Sequence, residues 1–185
     1  MESDLEKLLH LDSSRAVADL ALRNIGNDPA LFGKAFELMM RDEYPLSMRA
    51  ARVVDECAEA DPSLMEPYLE VLLEKMDGFR VEGIRRSILR YFVKTKTRLS
   101  PSLQGYLVDR CFRWLGSATA SVAVRHYSME ILYRFAIQQP GIRQELTFAI
   151  EDALQHNLFT AGDRPRHYLR ALRREMNPSR REPRS

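Results

Sequence analysis

Val124-Arg125-His126-Tyr127 opens the stretch that decides the fold: from Val122 to Ala136 an apolar side chain returns every third or fourth residue until Pro140 interrupts the pattern. Val124, Tyr127, Ile131, Leu132 and Phe135 then share one side of a helix, since each residue advances about 100° around the axis. The same opening recurs along the chain. Ser14-Arg15-Ala16-Val17, Met48-Arg49-Ala50-Ala51, Ile84-Arg85-Arg86-Ser87 and Pro165-Arg166-His167-Tyr168 each set an arginine at the head of an amphipathic run, and the five arginines are 34, 36, 40 and 41 residues apart. A proline follows each arginine after 12 to 16 residues, at Pro29, Pro62, Pro101, Pro140 and Pro178. Proline lacks the N–H that a helix interior needs but suits a first turn, so each unit reads as helix, break, helix.

Two further stripes support the reading. Residues 64 to 76 align Met65, Tyr68, Leu69, Leu72, Leu73 and Met76, and residues 142 to 158 align Leu146, Ala149, Ile150, Ala153 and Leu154. Asp28-Pro29, Asp61-Pro62 and Ser100-Pro101 place a side-chain acceptor just before a first-turn proline, the chemistry of a helix start. Gly78, Gly83, Gly116 and Gly162 are assigned to links, and Tyr68, Tyr91, Tyr127, Tyr133 and the Met39-Met40 pair mostly to the core. No segment alternates with period two for long enough to predict a strand.

The recurring Arg-led helix, proline break and second apolar helix resemble HEAT repeats, over residues 13 to 176. Asn27-Asp28-Pro29, Met48-Arg49-Ala50-Ala51 and Val122 to Ala136 are similar to small bacterial single-domain HEAT-repeat proteins of the armadillo-like type. The Ser-Ser-x-Met-Pro-type loop of adenylosuccinate lyases, a label such chains sometimes carry, is absent. The resemblance implies an all-α, right-handed α-solenoid of about four hairpins plus a C-terminal capping helix. It also implies a scaffold that binds on a concave face lined by the second, Arg-led helices, and an aspartate in each link paired with an arginine of a neighbouring unit. Asp42, Asp77 and Asp163 fit that pattern, whereas Arg125 is preceded only by Ser117, Thr119 and Ser121.

A single domain over residues 1–176 and a disordered basic tail over 177–185 are expected, with stacked hairpins sharing one core. The N-terminal residues have neither the basic lead nor the apolar run of a signal peptide, and no stretch reaches the ~18 apolar residues of a membrane span. A cytoplasmic protein without membrane contact follows. Cys57 and Cys111 each fall on an apolar stripe and read as buried thiols, and no cofactor or metal spacing is present. Phosphate-binding glycine loops, H-E-x-x-H and G-x-S-x-G are missing, so a non-enzymatic binding module is expected.

Charge supplies the partner argument. Residues 1 to 75 hold 8 basic and 16 acidic side chains, residues 76 to 185 hold 20 and 10, so a net charge of +2 hides −8 against +10. On the helix from Val81 to Val93, Ile84, Ile88, Tyr91 and Phe92 turn inward while Arg86, Arg90 and Lys94 form an outward stripe. On 164 to 176, Leu169, Leu172 and Met176 turn inward and Arg170 and Arg174 outward. With Arg125, Glu130 and Arg134 these are the candidate contacts for a protein partner, acidic in character. Lys96 and Arg98 extend the same basic track. The alternative is nucleic acid along the basic stripe of the C-terminal half. Glu130 lies between Arg125 and Arg134 as a carboxylate in a DNA-repair glycosylase would, and more simply pairs with Arg134 four residues on. Trp114 falls on the other helix of its hairpin, and nothing in the sequence places an aromatic beside Glu130. His126 and His167 occupy matching repeat positions.

Overall fold

The computed structural model describes residues 3–95, 97–159 and 164–177. All regular structure among them is helical: α1 (Asp4–Leu11), α2 (Arg15–Ile25), α3 (Pro29–Met40), α4 (Leu46–Ala60), α5 (Leu69–Lys75), α6 (Glu82–Lys94), α7 (Pro101–Leu115), α8 (Val122–Gln138), α9 (Arg143–Gln155) and α10 (Arg164–Met176). They follow one another as five pairs. α1 has no counterpart in the sequence reading, and the expected capping helix is α10, which packs on α9. None of these helices is long and apolar enough to cross a membrane.

The helix starts follow from side-chain chemistry. Ser14 accepts from the Val17 N–H and Ser121 from the Val124 N–H, while Asp28 accepts from those of Ala30 and Leu31 ahead of Pro29. Ser100 likewise accepts from the Leu103 N–H, at 3.3 Å. One predicted helix begins late: residues 62–64 and 66–68 form tight 3₁₀ turns before α5, because Pro67 has no N–H to give to an α-helical turn.

The chain divides into two compact units, Met1–Leu103 and Gln104–Ser185, where the sequence predicts one domain. In the first, α4 is central. It packs on its own partner α3 and on the second helices of the neighbouring pairs, α2 and α6, burying Ala50, Ala51, Val53, Val54, Cys57 and Ala58. Met65, Leu72, Leu73 and Met76 seal the adjacent layer, with Tyr68 against Phe36 at 4.3 Å between ring centroids. In the second unit α8, α9 and α10 pack on one another around Ile131, Leu132, Leu146, Ile150, Leu169 and Leu172. Both cysteines are buried and free.

Some predicted core positions differ. Tyr91 is fully buried, but Tyr68, Tyr127 and Tyr133 are only half-buried, each having a polar hydroxyl to keep near water. Met176, the last residue of α10, is exposed. Gly83 lies inside α6 rather than in a link, where a Cβ would come within 2.5 Å of the Met48 Cγ on α4. Gly162, Asp163 and the tail from residue 178 onward lie outside the described residues.

Candidate partner-binding surfaces

Three of the five arginines that mark the repeat, Arg49, Arg85 and Arg125, serve the fold first. The carbonyls ending a helix have no partner within it, and a guanidinium can satisfy several at once. Arg49 of α4 donates to the carbonyls of Leu9 (2.8 Å) and His10 (3.2 Å) and to the Ser13 hydroxyl (2.9 Å), tying its pair to the end of α1. Arg85 donates to the carbonyls of Met76, Asp77 and Phe79, in the link after α5. Arg125 does the same with those of Ser117 (2.7 Å) and Ala120 (2.5 Å).

Aspartate joins neighbouring pairs as the family pattern implies, but through backbone. Asp42, in the α3–α4 link, has positive φ and accepts from the N–H groups of Arg80 and Val81, both at 2.9 Å, just before α6. Burial works against its charge. Those two donors and the Arg80 guanidinium outweigh burial and hold its carboxyl below the usual range.

The eight predicted contact residues fall into two sets, one in each unit. On α6 in the first unit, Arg86 and Lys94 are exposed and have no charged partner among the described residues. Arg90 departs from the prediction of an outward stripe. It is turned onto α4, donating to Asp55 at 2.5 Å and Glu59 at 2.8 Å. Asp55 is buried, and its Oδ1 has no hydrogen-bond partner. Burial pushes its carboxyl up to about 7, against the opposing pull of Arg90.

Arg86 continues from a groove that the sequence reading missed. The groove, of about 690 Å³, lies between the α3–α4 link and the start of α6, and is lined by Tyr44 and Met48, by Arg80, and by the carboxylates of Asp42, Glu43 and Glu82. Tyr44, 74% exposed beside the cis Tyr44–Pro45 bond, is the most exposed large apolar side chain described. Glu82, Arg86 and Lys94 step along α6 from this groove at intervals of four and eight residues.

In the second unit, Arg125 is 6% exposed, so its assignment as a contact residue is corrected: its donors are turned inward to the link carbonyls. Glu130 and Arg134 are half-buried on α8, and Arg170 and Arg174 are exposed on α10. Glu130 lies 4.0 Å from Arg164, the first residue of α10. Aromatic rings do stand beside Glu130. Tyr133, three residues on, meets Tyr168 of α10 at 4.6 Å between ring centroids. Burial and then the Glu130 charge raise the Tyr168 phenol above its ordinary value. His126 packs against Phe159 at 5.1 Å, and burial, then Arg164 and Arg125, lower its pKa. His167 is exposed, so the two histidines, though matched in the repeat, differ in environment. Arg98 is exposed, and Lys96 lies outside the described residues. Tyr168 is 35 residues from Tyr133, which is why spacing along one helix did not reveal the pair.

Among the described residues no group of three or more His, Cys, Asp or Glu is placed to hold a metal ion. No curated protein and no solved structure matches the chain. A family model described as a HEAT repeat domain matches residues 3–164, which takes in α1 to α9, four helix pairs and the first helix of the fifth, and the chain belongs to that family.

Proposed function

We propose that the protein is a non-catalytic, cytoplasmic scaffold that holds a segment of a protein partner in the first unit, its apolar part on Tyr44 in the groove and its acidic part along Arg86 and Lys94 of α6. HEAT repeats are commonly protein-interaction scaffolds, which supports the general class. The observation that carries the specific reading is Tyr44. A tyrosine left 74% exposed next to Arg80 supplies the aromatic and guanidinium pairing that dominates protein interfaces. Arg86 and Lys94 then lie beyond it as unspent cations, whereas Arg90 is neutralised by α4. Two buried free thiols suit a reducing compartment.

Photo-crosslinking in the producing cell tests this. A benzophenone side chain at position 44 should give a discrete protein adduct, and the same probe in place of Glu70, on an exposed position of α5, should not. Charge reversal at Arg86 and Lys94 together should abolish the adduct. Equal adducts from both positions, or an adduct indifferent to the reversal, would overturn the assignment.

A further inference from the structure

We infer that the partner segment is charge-polarised: an arginine or lysine of the partner enters the Tyr44 groove, and acidic residues follow it along Arg86 and Lys94. This rests on the function proposed above and specifies its partner. The groove and the helix row beside it differ in sign. Three carboxylates, those of Asp42, Glu43 and Glu82, line the groove against one guanidinium, that of Arg80. Asp42 is already engaged, since it accepts from the N–H groups of Arg80 and Val81 and pairs with the Arg80 side chain at 3.3 Å. Arg41, the cation nearest to Glu43 in sequence, is held by Glu6 of α1. Glu43 itself is exposed and makes no ion pair with a described residue. Glu82 is exposed too, but it opens α6, where the helix end offsets part of its charge, so Glu43 is the stronger anchor.

Three kinds of partner side chain can be weighed against this groove. A carboxylate would be repelled by Glu43 and Glu82, which also argues against a nucleic-acid strand, acidic throughout. A purely apolar side chain would strip water from both carboxylates and offer nothing in return. A long cation does neither. Its methylenes lie on Tyr44, which is 74% exposed, and on the half-buried Met48, while its head reaches the carboxylates. The electron-rich face of the Tyr44 ring adds an attraction of its own.

From the groove outward the sign changes. Arg86 stands four residues after Glu82 and Lys94 eight after that, steps of about 6 and 12 Å along the axis, and Arg90 between them is neutralised by Asp55 and Glu59. The row winds by about 40° every four residues, so a bound segment crosses α6 obliquely. An extended chain covers the two steps in about two and four residues, which leaves the cation and both acids on one of its faces.

Chemical-shift titration of the isotope-labelled full chain with synthetic peptides tests the order of charges. The first peptide has an arginine with glutamates two and six positions away and serine elsewhere; a second has norleucine in place of the arginine. Each is made in both chain directions, because the surface fixes the order of charge and not that of the backbone. The arginine peptide should move the amide signals of Tyr44 and Gly83 and bind about fivefold more tightly than the norleucine peptide. Glu43→Gln with Glu82→Gln should abolish that advantage, whereas Arg86→Gln with Lys94→Gln should weaken both peptides and keep the ratio. The ratio on the native chain needs no variant. If norleucine serves as well as arginine, the inference is overturned, and the Tyr44 reading still stands on its cross-link, whose absence sinks that reading instead. An advantage that survives the paired glutamine changes at Glu43 and Glu82, or no shift at Tyr44 with the arginine peptide in either direction, would overturn it too.

Discussion

Replacing Asp55 by asparagine should make the protein more stable by about 4 kcal/mol at pH 8 and by only about 1 kcal/mol at pH 4.5, a difference that follows from the burial of one carboxylate. Asp55 contributes one oxygen to Arg90 at 2.5 Å and leaves the other buried without a hydrogen bond. Burial raises its pKa to about 7 from an ordinary 3.8, and Arg90 only partly offsets this. Between those two values the folded chain holds a proton that the unfolded chain has released. Stability from this group is therefore fully present below pH 3.8 and declines as pH rises, by roughly 1.4 kcal/mol per pH unit, until the folded group ionises near 7. The whole interval corresponds to about 4 kcal/mol, and the portion between pH 4.5 and 7 to about 3 kcal/mol. Asparagine keeps the shape, removes the titration and leaves Arg90 its contact with Glu59 at 2.8 Å.

Urea unfolding followed by far-UV circular dichroism from pH 4.5 to 8 measures this directly. The single tryptophan, Trp114, belongs to the other unit and would report that one instead. His126 has its pKa lowered mainly by burial, so it contributes stability that grows with pH below about 6.5 and opposes the Asp55 trend. That contribution is common to both proteins and cancels in the difference. Asp42 titrates below 3.8 and so outside the scan. If the two stability curves ran parallel across the range, Asp55 would be ionised throughout and the pairing with Arg90 would outweigh burial.

Two other perturbations test the packing that presents these surfaces. Arg49→Met removes three hydrogen bonds to the end of α1 and should cost about 2 to 3 kcal/mol in urea unfolding, while Arg86→Met, on an exposed and uncommitted side chain, should stay within about 0.5 kcal/mol. Gly83→Ala should destabilise by about 1 to 3 kcal/mol, because the new Cβ meets the Met48 side chain near its root; Gly105→Ala, inside α7 with nothing within 4 Å, should stabilise by about 0.5 to 1 kcal/mol. Thermal melts of the two alanine variants read that contrast.

The repeat was legible because its marker acts locally. An arginine one turn into a helix reaches back to the carbonyls just before that helix, as Arg85 and Arg125 do over five to nine residues, while Arg49 at the same helix position reaches the end of α1, so one helix position has a use in three of the five pairs and can be read as a period. The capping acceptors at Asp28 and Ser100 are local in the same way. Pro67 was equally visible, and its effect on the start of α5 could have been derived from its missing N–H. Gly83 was not. A glycine near a helix start looks like a link residue until α4 is known to approach within contact of it.

The candidate surfaces show where such reading stops. Steps of 40° put Arg86, Arg90 and Lys94 on one stripe, yet the angle around a helix gives a direction and not what lies in it. α4 flanks α6 on that side, so Ser87, immediately after Arg86, is already buried, and Arg90 is level with Asp55 and Glu59. Arg86 and Lys94 escape this pairing. The same logic runs in reverse on α8, where the partner that gives Tyr133 its meaning is supplied by α10. A cation on a helical repeat is thus available for binding only after the neighbouring second helix has taken what it needs. Arg49, Arg85, Arg90 and Arg125 are taken. Arg86, Lys94, Arg170 and Arg174 remain, and substitutions there should alter binding with little effect on folding.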